Sequence, residues 1–256
     1  MANTALITGA SAGIGAEFAR YHAFLGGDLI ITARREEPLN ALQAELEAAY
    51  NVKVTVIACD LGSADGAETL YRATKGHCID VLINNAGFGG HGKFVERPLL
   101  EDLAMIDLNV KALVSLCHKV GNDMVAQGGG KILNVSSTAS YMPGPLQATY
   151  FATKAFVSSF SYALAEELGD KNITVTTLEP GYVETEFADR ADLTGTPLTK
   201  SGKTPASVAK IGYDAMLKGK LNVINEKGLA FQLNWLMPFL PHRAKMKFIR
   251  KMQEKS

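Results

Sequence analysis

The chain has 256 residues, of which 47% are hydrophobic and 20% charged, the balance of an ordinary globular protein that can bury a full core. Its 26 basic side chains equal its 26 acidic ones, which argues against a nucleic-acid or anionic-membrane partner. The three cysteines, Cys59, Cys78 and Cys117, form no C-x-x-C pair. This spacing argues against a disulfide framework and a structural zinc site, and it favours a reducing compartment.

The sequence shows neither a signal peptide nor a transmembrane segment. The segment from Met1 to Gly9 runs into an apolar strand without the basic and apolar regions of a signal peptide. No stretch approaches the apolar length of a membrane span. The five histidines show no metal-ligand spacing. We therefore expect a cytoplasmic protein with no transmembrane segment and no metal site.

Short apolar strands alternate with helical patterns along the chain. Strands are predicted at 4–8, 29–32, 52–58, 81–83, 131–135, 173–178 and 221–224. Helices are predicted at 14–25, 36–50, 67–74, 101–125, 150–168 and 205–217. The alternation predicts an α/β fold of the doubly wound Rossmann type, with a parallel sheet of about seven strands and helices on both faces. We expect one domain over 1–256.

Two stretches interrupt this alternation. Residues 186–204 are polar and rich in Thr, Gly and Lys, and we interpret them as a mobile substrate lid. Residues 229–256 combine aromatic side chains with a basic tail. A pocket wall or a subunit interface is the favoured interpretation of this extension. A helix lying on a membrane surface is the third, less favoured one.

A glycine-rich loop joins the first strand to the first helix. Gly9, Ser11, Gly13, Ile14 and Gly15 lie in it, and glycines there let backbone N–H groups approach a phosphate at the helix N-terminus. The spacing is G-x-x-x-G-x-G rather than the dinucleotide fingerprint G-x-G-x-x-G. The loop therefore predicts a dinucleotide site, with a plain strand–helix turn as the alternative.

The end of the second strand bears on which dinucleotide binds. Ala33 stands where an NAD enzyme usually places an acidic residue for the ribose, and Arg34 and Arg35 follow. Guanidinium groups suit the 2′-phosphate of NADP, although adjacent arginines are also common on surfaces. Asp60, with Leu61 beside it, follows the third strand and could contact the adenine or cap the next helix.

Tyr150 and Lys154 are four residues apart on a predicted helix and share one face. A free tyrosine has a pKa of about 10, and a nearby ammonium favours the phenolate and lowers that pKa. Such a pair can exchange a proton with a substrate oxygen, but the spacing alone also arises by chance. Support comes from Ser136 and Ser137 at the preceding strand end, where a hydroxyl can donate to a carbonyl oxygen.

These pieces together resemble the short-chain dehydrogenase/reductase family over roughly residues 4–225. The matching motifs are Thr8-Gly9-x-x-x-Gly13-x-Gly15, Asn84-Asn85-Ala86-Gly87, Asn109, Ser137, Tyr150-x-x-x-Lys154 and Pro180-Gly181-x-Val183-x-Thr185. Ser137, rather than Ser136, has the family's distance from Tyr150. The resemblance implies a homodimer or homotetramer that exchanges hydride between a nicotinamide and a carbonyl or alcohol.

The resemblance also implies residue roles. Tyr150 would be the acid in reduction, Lys154 would lower the Tyr150 pKa and bind the nicotinamide ribose, and Ser137 would orient the substrate oxygen. Asn109 would hold a water of the proton relay, unless it is simply a polar residue inside a helix. The further cofactor residues are Asn85 near the ribose, Val183 facing the carboxamide, Thr185 near the phosphates, and Ala86, Gly87, Pro180 and Gly181 beside them.

We therefore expect an NADP(H)-dependent oxidoreductase, with NADPH reducing an apolar ketone or aldehyde of acyl, steroid-like or aromatic kind. Apolar side chains flank the motifs, and we expect Met142, Leu146 and Tyr182 to contact substrate together with Ser137 and Tyr150. The alternatives are an NAD-dependent alcohol dehydrogenase and a non-catalytic dinucleotide-binding sensor or scaffold.

Overall fold

A computed structural model describes residues 3–255 of the chain. Its seven strands are β1 Thr4–Thr8, β2 Asp28–Ala33, β3 Val54–Ala58, β4 Val81–Asn84, β5 Gly130–Val135, β6 Ile173–Leu178 and β7 Asn222–Val223. They form one parallel sheet in the order β3-β2-β1-β4-β5-β6-β7. The strand order reverses between β1 and β4, where open α/β sheets bind ligands. The predicted fold class is confirmed.

Helices connect the strands and cover both faces of the sheet. They are α1 Gly13–Phe24, α2 Glu36–Ala49, α3 Gly66–Ala73, α4 Leu99–Ile106, α5 Leu113–Gln127, α6 Ala148–Glu167, α7 Phe187–Arg190, α8 Pro205–Leu217, α9 Lys227–Phe231 and α10 His242–Gln253. In the part of the chain that the structure describes, no helix combines the length and the apolar character needed to cross a bilayer.

Alternate residues of the buried strands enter separate cores. In β1, Ala5 and Ile7 pack with the helices on one face, while Leu6 packs with those on the other. In β5, Leu133 packs on the same face as Ala5 and Ile7, and Ile132 packs on the same face as Leu6. Because successive side chains of a strand point to opposite faces, a strand buried on both sides is apolar throughout. This explains the short, uninterrupted apolar runs in the sequence.

The predicted helix over 101–125 differs from the structure in two respects. It begins two residues earlier, directly after Pro98, which is well suited to precede a helix. A π-helical turn over Asp107–Ala112 also separates α4 from α5. In that widened turn the side chain of Asn109 bonds to the backbone of Phe88. Such turns often occur at functional sites, and hydrophobic periodicity does not reveal them.

Two strands are shorter than predicted. Strand β3 begins at Val54 because the amide of Val52 bonds locally to the carbonyl of Tyr50. Strand β7 spans only Asn222–Val223. Beyond it, residues 227–253 are mostly helical, with a π-helical turn over Gln232–Leu236 between α9 and α10. Residues 1, 2 and 256, part of the predicted domain, lie outside the described residues.

Candidate active site

A cavity of about 840 Å³ lies at the carboxyl ends of the strands. Its lining includes the glycine loop, the end of β2, the β5 end, the start of α6 and the extension after β7. Every residue predicted for catalysis, cofactor or substrate lines it, except Gly15, Asn109 and Leu146. Its volume lies within the range of sites for large organic ligands.

Gly15 and Leu146 have other roles in the structure. A Cβ atom on Gly15 would collide with the carbonyl oxygen of Gly9, so this glycine lets α1 pack under the loop. Leu146 has a φ of 70°, and its carbonyl accepts a hydrogen bond from the amide of Gly92 at 2.8 Å. The expected contact of Leu146 with substrate is not supported, because this turn keeps the residue out of the cavity lining.

The glycine loop has the shape of an anion cradle. Gly9 and Gly13 have φ angles of +67° and +57°, which side chains other than glycine rarely tolerate. A Cβ on Gly9 would lie 2.8 Å from Asn85 Nδ2 and 2.9 Å from Ala86 Cα. Ala12 precedes α1 without a side-chain cap, and the first turn of α1 contains no acidic residue. The positive end of α1 is therefore available for a dinucleotide phosphate, and the loop fits that group.

Asn84 and Asn85 connect the strand ends beneath this loop. As expected, Asn84 ties strands together, because its Nδ2 lies 2.9 Å from Asn134 Oδ1 of β5. Asn85 Nδ2 donates to the carbonyls of Thr8 at 3.0 Å and Gly9 at 3.3 Å. The structure thus uses the Asn85 amide to hold the glycine loop, and its expected contact with the cofactor ribose stays a prediction.

Three arginines gather at the mouth of the cavity near the end of β2. Arg34 and Arg35 lie there as expected, and Arg190 of α7 joins them. Burial, followed by the charges of Arg34 and Arg35, lowers the pKa of the Arg190 guanidinium. Arg35 Nη2 lies 2.9 Å from Glu186 Oε2 and 3.5 Å from Ser11 Oγ. Sequence reasoning missed Arg190, because this residue lies far along the chain in a segment without periodicity.

Tyr150 and Lys154 lie side by side on α6 and are 9% and 6% exposed. Lys154 Nζ lies 5.8 Å from the centre of the Tyr150 ring and donates to the carbonyl of Val135 at 2.9 Å. Burial lowers the pKa of Lys154 to about 8. Burial also raises the pKa of Tyr150 to about 12, against a smaller lowering by the hydrogen bond with Ser137. Burial therefore acts against the expected lowering of the Tyr150 pKa by Lys154, and that lowering stays a prediction.

Ser137 and Ser136 differ in what their hydroxyls contact. Ser137 Oγ accepts a hydrogen bond from the amide of Ala139 at 3.1 Å and lies within reach of Tyr150. Ser136 Oγ instead bonds to the carbonyl of Lys154 at 2.9 Å and to Ser158 Oγ at 2.8 Å. The Ser136 hydroxyl therefore already forms hydrogen bonds with α6. This supports Ser137 as the serine whose hydroxyl faces a substrate.

Asn109 is 2% exposed and does not line the cavity. Its Oδ1 accepts from the amide of Phe88 at 3.1 Å, and its Nδ2 donates to the carbonyl of Phe88 at 3.0 Å and to Thr153 Oγ1 at 3.2 Å. Both amide protons are thus used within the protein. Asn109 holds the loop after β4 against α6, and its role in binding a water stays a prediction.

Glu179 is a buried carboxylate that the sequence reasoning missed. Its oxygens accept hydrogen bonds from Tyr141 at 2.6 Å, Tyr162 at 2.6 Å, Ser158 at 2.9 Å and Asn222 at 3.1 Å. These bonds join the end of β6 to α6, to β7 and to the turn that carries Ser137. An acidic residue directly before Pro-Gly at the end of an apolar strand is the signal that could have indicated it.

The cavity beyond Tyr150 is apolar. Tyr182 and Met142 contribute to it as expected, and Phe187 adds a further aromatic ring, centred 5.4 Å from that of Tyr150. The extension after β7 supplies the rest of this wall through Leu229, Leu233, Leu236, Met237, Leu240, Phe248, Ile249 and Met252. The catalytic side chains therefore lie between a polar half with an anion cradle and an apolar half of the same cavity.

A parallel sheet with a glycine loop and a buried Ser-Tyr-Lys set defines a nicotinamide-dependent oxidoreductase, and the comparisons identify its family. The family model for short chain dehydrogenases matches residues 3–194. The chain belongs to the short-chain dehydrogenase/reductase family. As oxidoreductases, members of this family act on CH–OH groups and carbonyls.

Individual relatives carry different names. A very-long-chain 3-oxoacyl-CoA reductase of Laccaria bicolor is 36% identical over 72% of this chain and 56% of its own length, so the chain spans just over half of that relative. A sulfoacetaldehyde reductase of Chromohalobacter salexigens is 33% identical over 94% of this chain and 90% of its own length. A short-chain dehydrogenase from Sphingobium yanoikuyae, solved in complex with NADPH, is 30% identical over 99% of both chains, with a TM-score of 0.85.

Proposed function

We propose that this protein is an NADPH-dependent reductase of an apolar ketone or aldehyde. The observation that carries the proposal is the position of Ser137, Tyr150 and Lys154 at the junction of the two halves of the cavity. The glycine loop and the arginines lie on one side of this junction, and the apolar wall lies on the other. A carbonyl group held there is within reach of both a cofactor and a proton donor.

The protonation states of this site favour reduction. Bound NADPH would supply a hydride to the carbonyl carbon. Because its pKa is raised to about 12, Tyr150 keeps its proton at neutral pH and can donate it to the carbonyl oxygen as that oxygen gains negative charge. The Ser137 hydroxyl donates to the same oxygen. Lys154 is largely protonated at pH 7, since its pKa is about 8, and its charge stabilises the phenolate that remains.

The arginines support NADPH over NADH. Arg34, Arg35 and Arg190 place three positive charges where the strand end would meet the ribose of a dinucleotide. Guanidinium groups bind phosphate through paired, charge-assisted hydrogen bonds. The NADPH-bound relative adds support for this preference. Arg34→Ala is expected to raise the KM for NADPH far more than the KM for NADH. Equal effects would favour the alternative of an NAD-dependent alcohol dehydrogenase.

The apolar wall supports a large apolar substrate. Its side chains offer few polar partners for a small charged aldehyde, and burying an unpaired charge there would be costly. Within this wall, Tyr182 supplies a hydroxyl and Met142 supplies an adaptable apolar surface. The name of the 3-oxoacyl-CoA reductase relative agrees with an acyl substrate.

A carbonyl panel tests the proposal. NADPH oxidation should be followed with acyl, steroid-like and aromatic ketones beside a small polar aldehyde such as sulfoacetaldehyde. We expect kcat/KM to rise with the apolar area of the substrate. Binding of NADPH without oxidation on any carbonyl, by folded protein, would favour the sensor or scaffold alternative.

We also propose a homodimer or homotetramer in the cytoplasm. Leu99, Leu100 and Phe156 are exposed on α4 and α6, and apolar helix faces of this kind are typical of subunit contacts. Cys59 and Cys117 lie buried or half-buried as free thiols, as expected in a reducing compartment. Light scattering tests the assembly, and fractionation of the cells that make the protein tests the compartment.

A further inference from the structure

Large apolar side chains of the extension point to solvent. Phe239 is 83% exposed, Trp235 65%, Phe231 59% and Phe248 57%. Leu229 and Leu233 on the same short helical segment instead turn inward and line the cavity. We call the exposed set Phe231, Trp235, Leu236, Phe239, Leu240 and Phe248 the C-terminal patch. Exposed apolar side chains that cluster in this way are typical of binding surfaces.

The cavity opens onto the C-terminal patch. Leu236, Leu240 and Phe248 line the cavity and are also 52%, 46% and 57% exposed. These three side chains therefore form the rim of the opening. An apolar molecule that enters here first contacts these apolar side chains, which continue into the apolar half of the site.

The balanced charge of the whole chain conceals a basic extension. Residues 227–255 contain seven Lys and Arg and one Glu, while the rest of the chain has nineteen basic and twenty-five acidic side chains. On α10, Arg243, Lys247 and Lys251 recur every four residues on the face opposite buried Ile249 and Gln253. None of the three forms an ion pair with a carboxylate of residues 3–255.

We propose that the C-terminal patch and the outer face of α10 dock on an anionic lipid bilayer. Aromatic rings and leucines enter the interface while Arg243, Lys247 and Lys251 contact anionic headgroups, the two signals that together give stable peripheral binding. The rim then faces the acyl layer, and an apolar carbonyl compound dissolved in the bilayer enters the cavity directly. This last step rests on the proposed function.

The charges argue against the two other occupants of this face. In a two-fold contact between copies, this basic face would meet the same basic face of the second copy, and like charges would repel. An acidic protein would match those charges but would have to cover Phe239 and Trp235 as well. A bilayer accommodates both features without a complementary shape.

Trp235 allows a direct test, because it is the only tryptophan of the chain. Its fluorescence should be titrated with vesicles of phosphatidylcholine alone and with vesicles containing roughly one third phosphatidylserine. We expect a blue shift and protection from acrylamide with the anionic vesicles only, reversed by high salt. An emission spectrum that does not change with anionic vesicles would overturn the proposal.

Cosedimentation of two matched variants with anionic vesicles tests whether α10 is the docking face. We expect the triple change Arg243→Glu, Lys247→Glu and Lys251→Glu to lower the vesicle-bound fraction at least tenfold. The same reversal at exposed Lys53, Lys75 and Lys218, which lie outside the extension, should leave it within twofold. Equal losses in both variants would contradict a docking face on α10.

The remaining outcomes separate this proposal from its rivals and from the proposed function. If the wild-type protein does not bind vesicles and the triple variant changes the oligomeric state, then the face is a subunit contact and the proposal is overturned. Binding to a polyglutamate column without binding to vesicles would assign the face to an acidic protein. Vesicle binding is measured without turnover. The protein can therefore reduce carbonyls without binding vesicles, or bind vesicles without reducing carbonyls, and the two proposals are tested separately.

Discussion

The carboxylate of Glu186 lies 2.9 Å from the guanidinium of Arg35. This ion pair joins the segment after β6 to the end of β2, across the mouth of the cavity. It occupies a guanidinium that the proposed function assigns to the 2′-phosphate of NADPH. The segment after β6 and the proposed cofactor would therefore compete for the same side chain.

Replacing Glu186 tests this competition. Glu186→Gln should lower the KM for NADPH by about twofold to fivefold, because exposed ion pairs contribute at most about 1 kcal/mol. Glu184→Gln is the matched control, since Glu184 is also exposed but forms no ion pair with a described residue. A KM for NADPH that rises in Glu186→Gln would show that the ion pair assists cofactor binding instead.

Arg190 should contribute to cofactor selection together with Arg34. We expect Arg190→Ala to raise the KM for NADPH by about tenfold and to leave the KM for NADH within twofold, because one charge-assisted hydrogen bond to phosphate is lost. Steady-state kinetics with both cofactors measure this, with Lys218→Ala as a distant control. Equal increases in the KM for NADPH and the KM for NADH would show that Arg190 only stabilises the segment after β6.

Glu179 should stabilise the fold around the site. Glu179→Ala leaves the half-buried hydroxyls of Tyr141 and Tyr162 without their acceptor, and we expect the free energy of unfolding to fall by about 3–5 kcal/mol. Tyr141→Phe, which removes one of these bonds, should cost about 1 kcal/mol. Urea unfolding measures both. A loss below about 0.5 kcal/mol for Glu179→Ala would contradict a structural role for the network.

The pH dependence of reduction should report Lys154. Its pKa is lowered to about 8, so the charged form that stabilises the phenolate is present below pH 8 and is lost as the pH rises above it. We expect kcat/KM for reduction to be level from pH 6 to about 7.5 and then to fall by up to tenfold per pH unit. Tyr150 stays protonated through this range, because its pKa is about 12. Lys154→Arg keeps its charge and should move the fall to higher pH. If kcat/KM begins to fall at the same pH in Lys154→Arg as in the wild type, the fall reports the titration of a group other than Lys154.

Much of the fold and of the site follows from local pattern. The strand–helix alternation was sufficient to predict the parallel sheet, because buried strands and amphipathic helices have different periods. Tyr150 and Lys154 were predictable from their spacing on one helix, and Ser137 from its place at a strand end and its distance from Tyr150 in the family motif. The π-helical turn at Asn109 was not, since its cause is a contact with Phe88 that lies 21 residues away.

Other features depend on contacts between distant parts of the chain. Arg190 and Glu186 approach the end of β2 only after the segment following β6 folds over the sheet. Burial is the main cause of the raised Tyr150 pKa, and the sequence does not show how deeply the phenol is covered. Net charge, likewise, averages over surfaces that the fold separates, so a net charge of zero does not reveal the basic face of α10.

Tyr150→Phe is the most direct test of proton transfer by the phenol. The variant keeps the ring and its packing but removes the donor, so NADPH binding should stay within twofold of wild type. With an apolar ketone that the wild-type protein reduces, single-turnover NADPH oxidation should slow by about 10²–10⁴-fold. An oxidation rate within threefold of wild type, with NADPH bound, would contradict the assignment of Tyr150 as the proton donor.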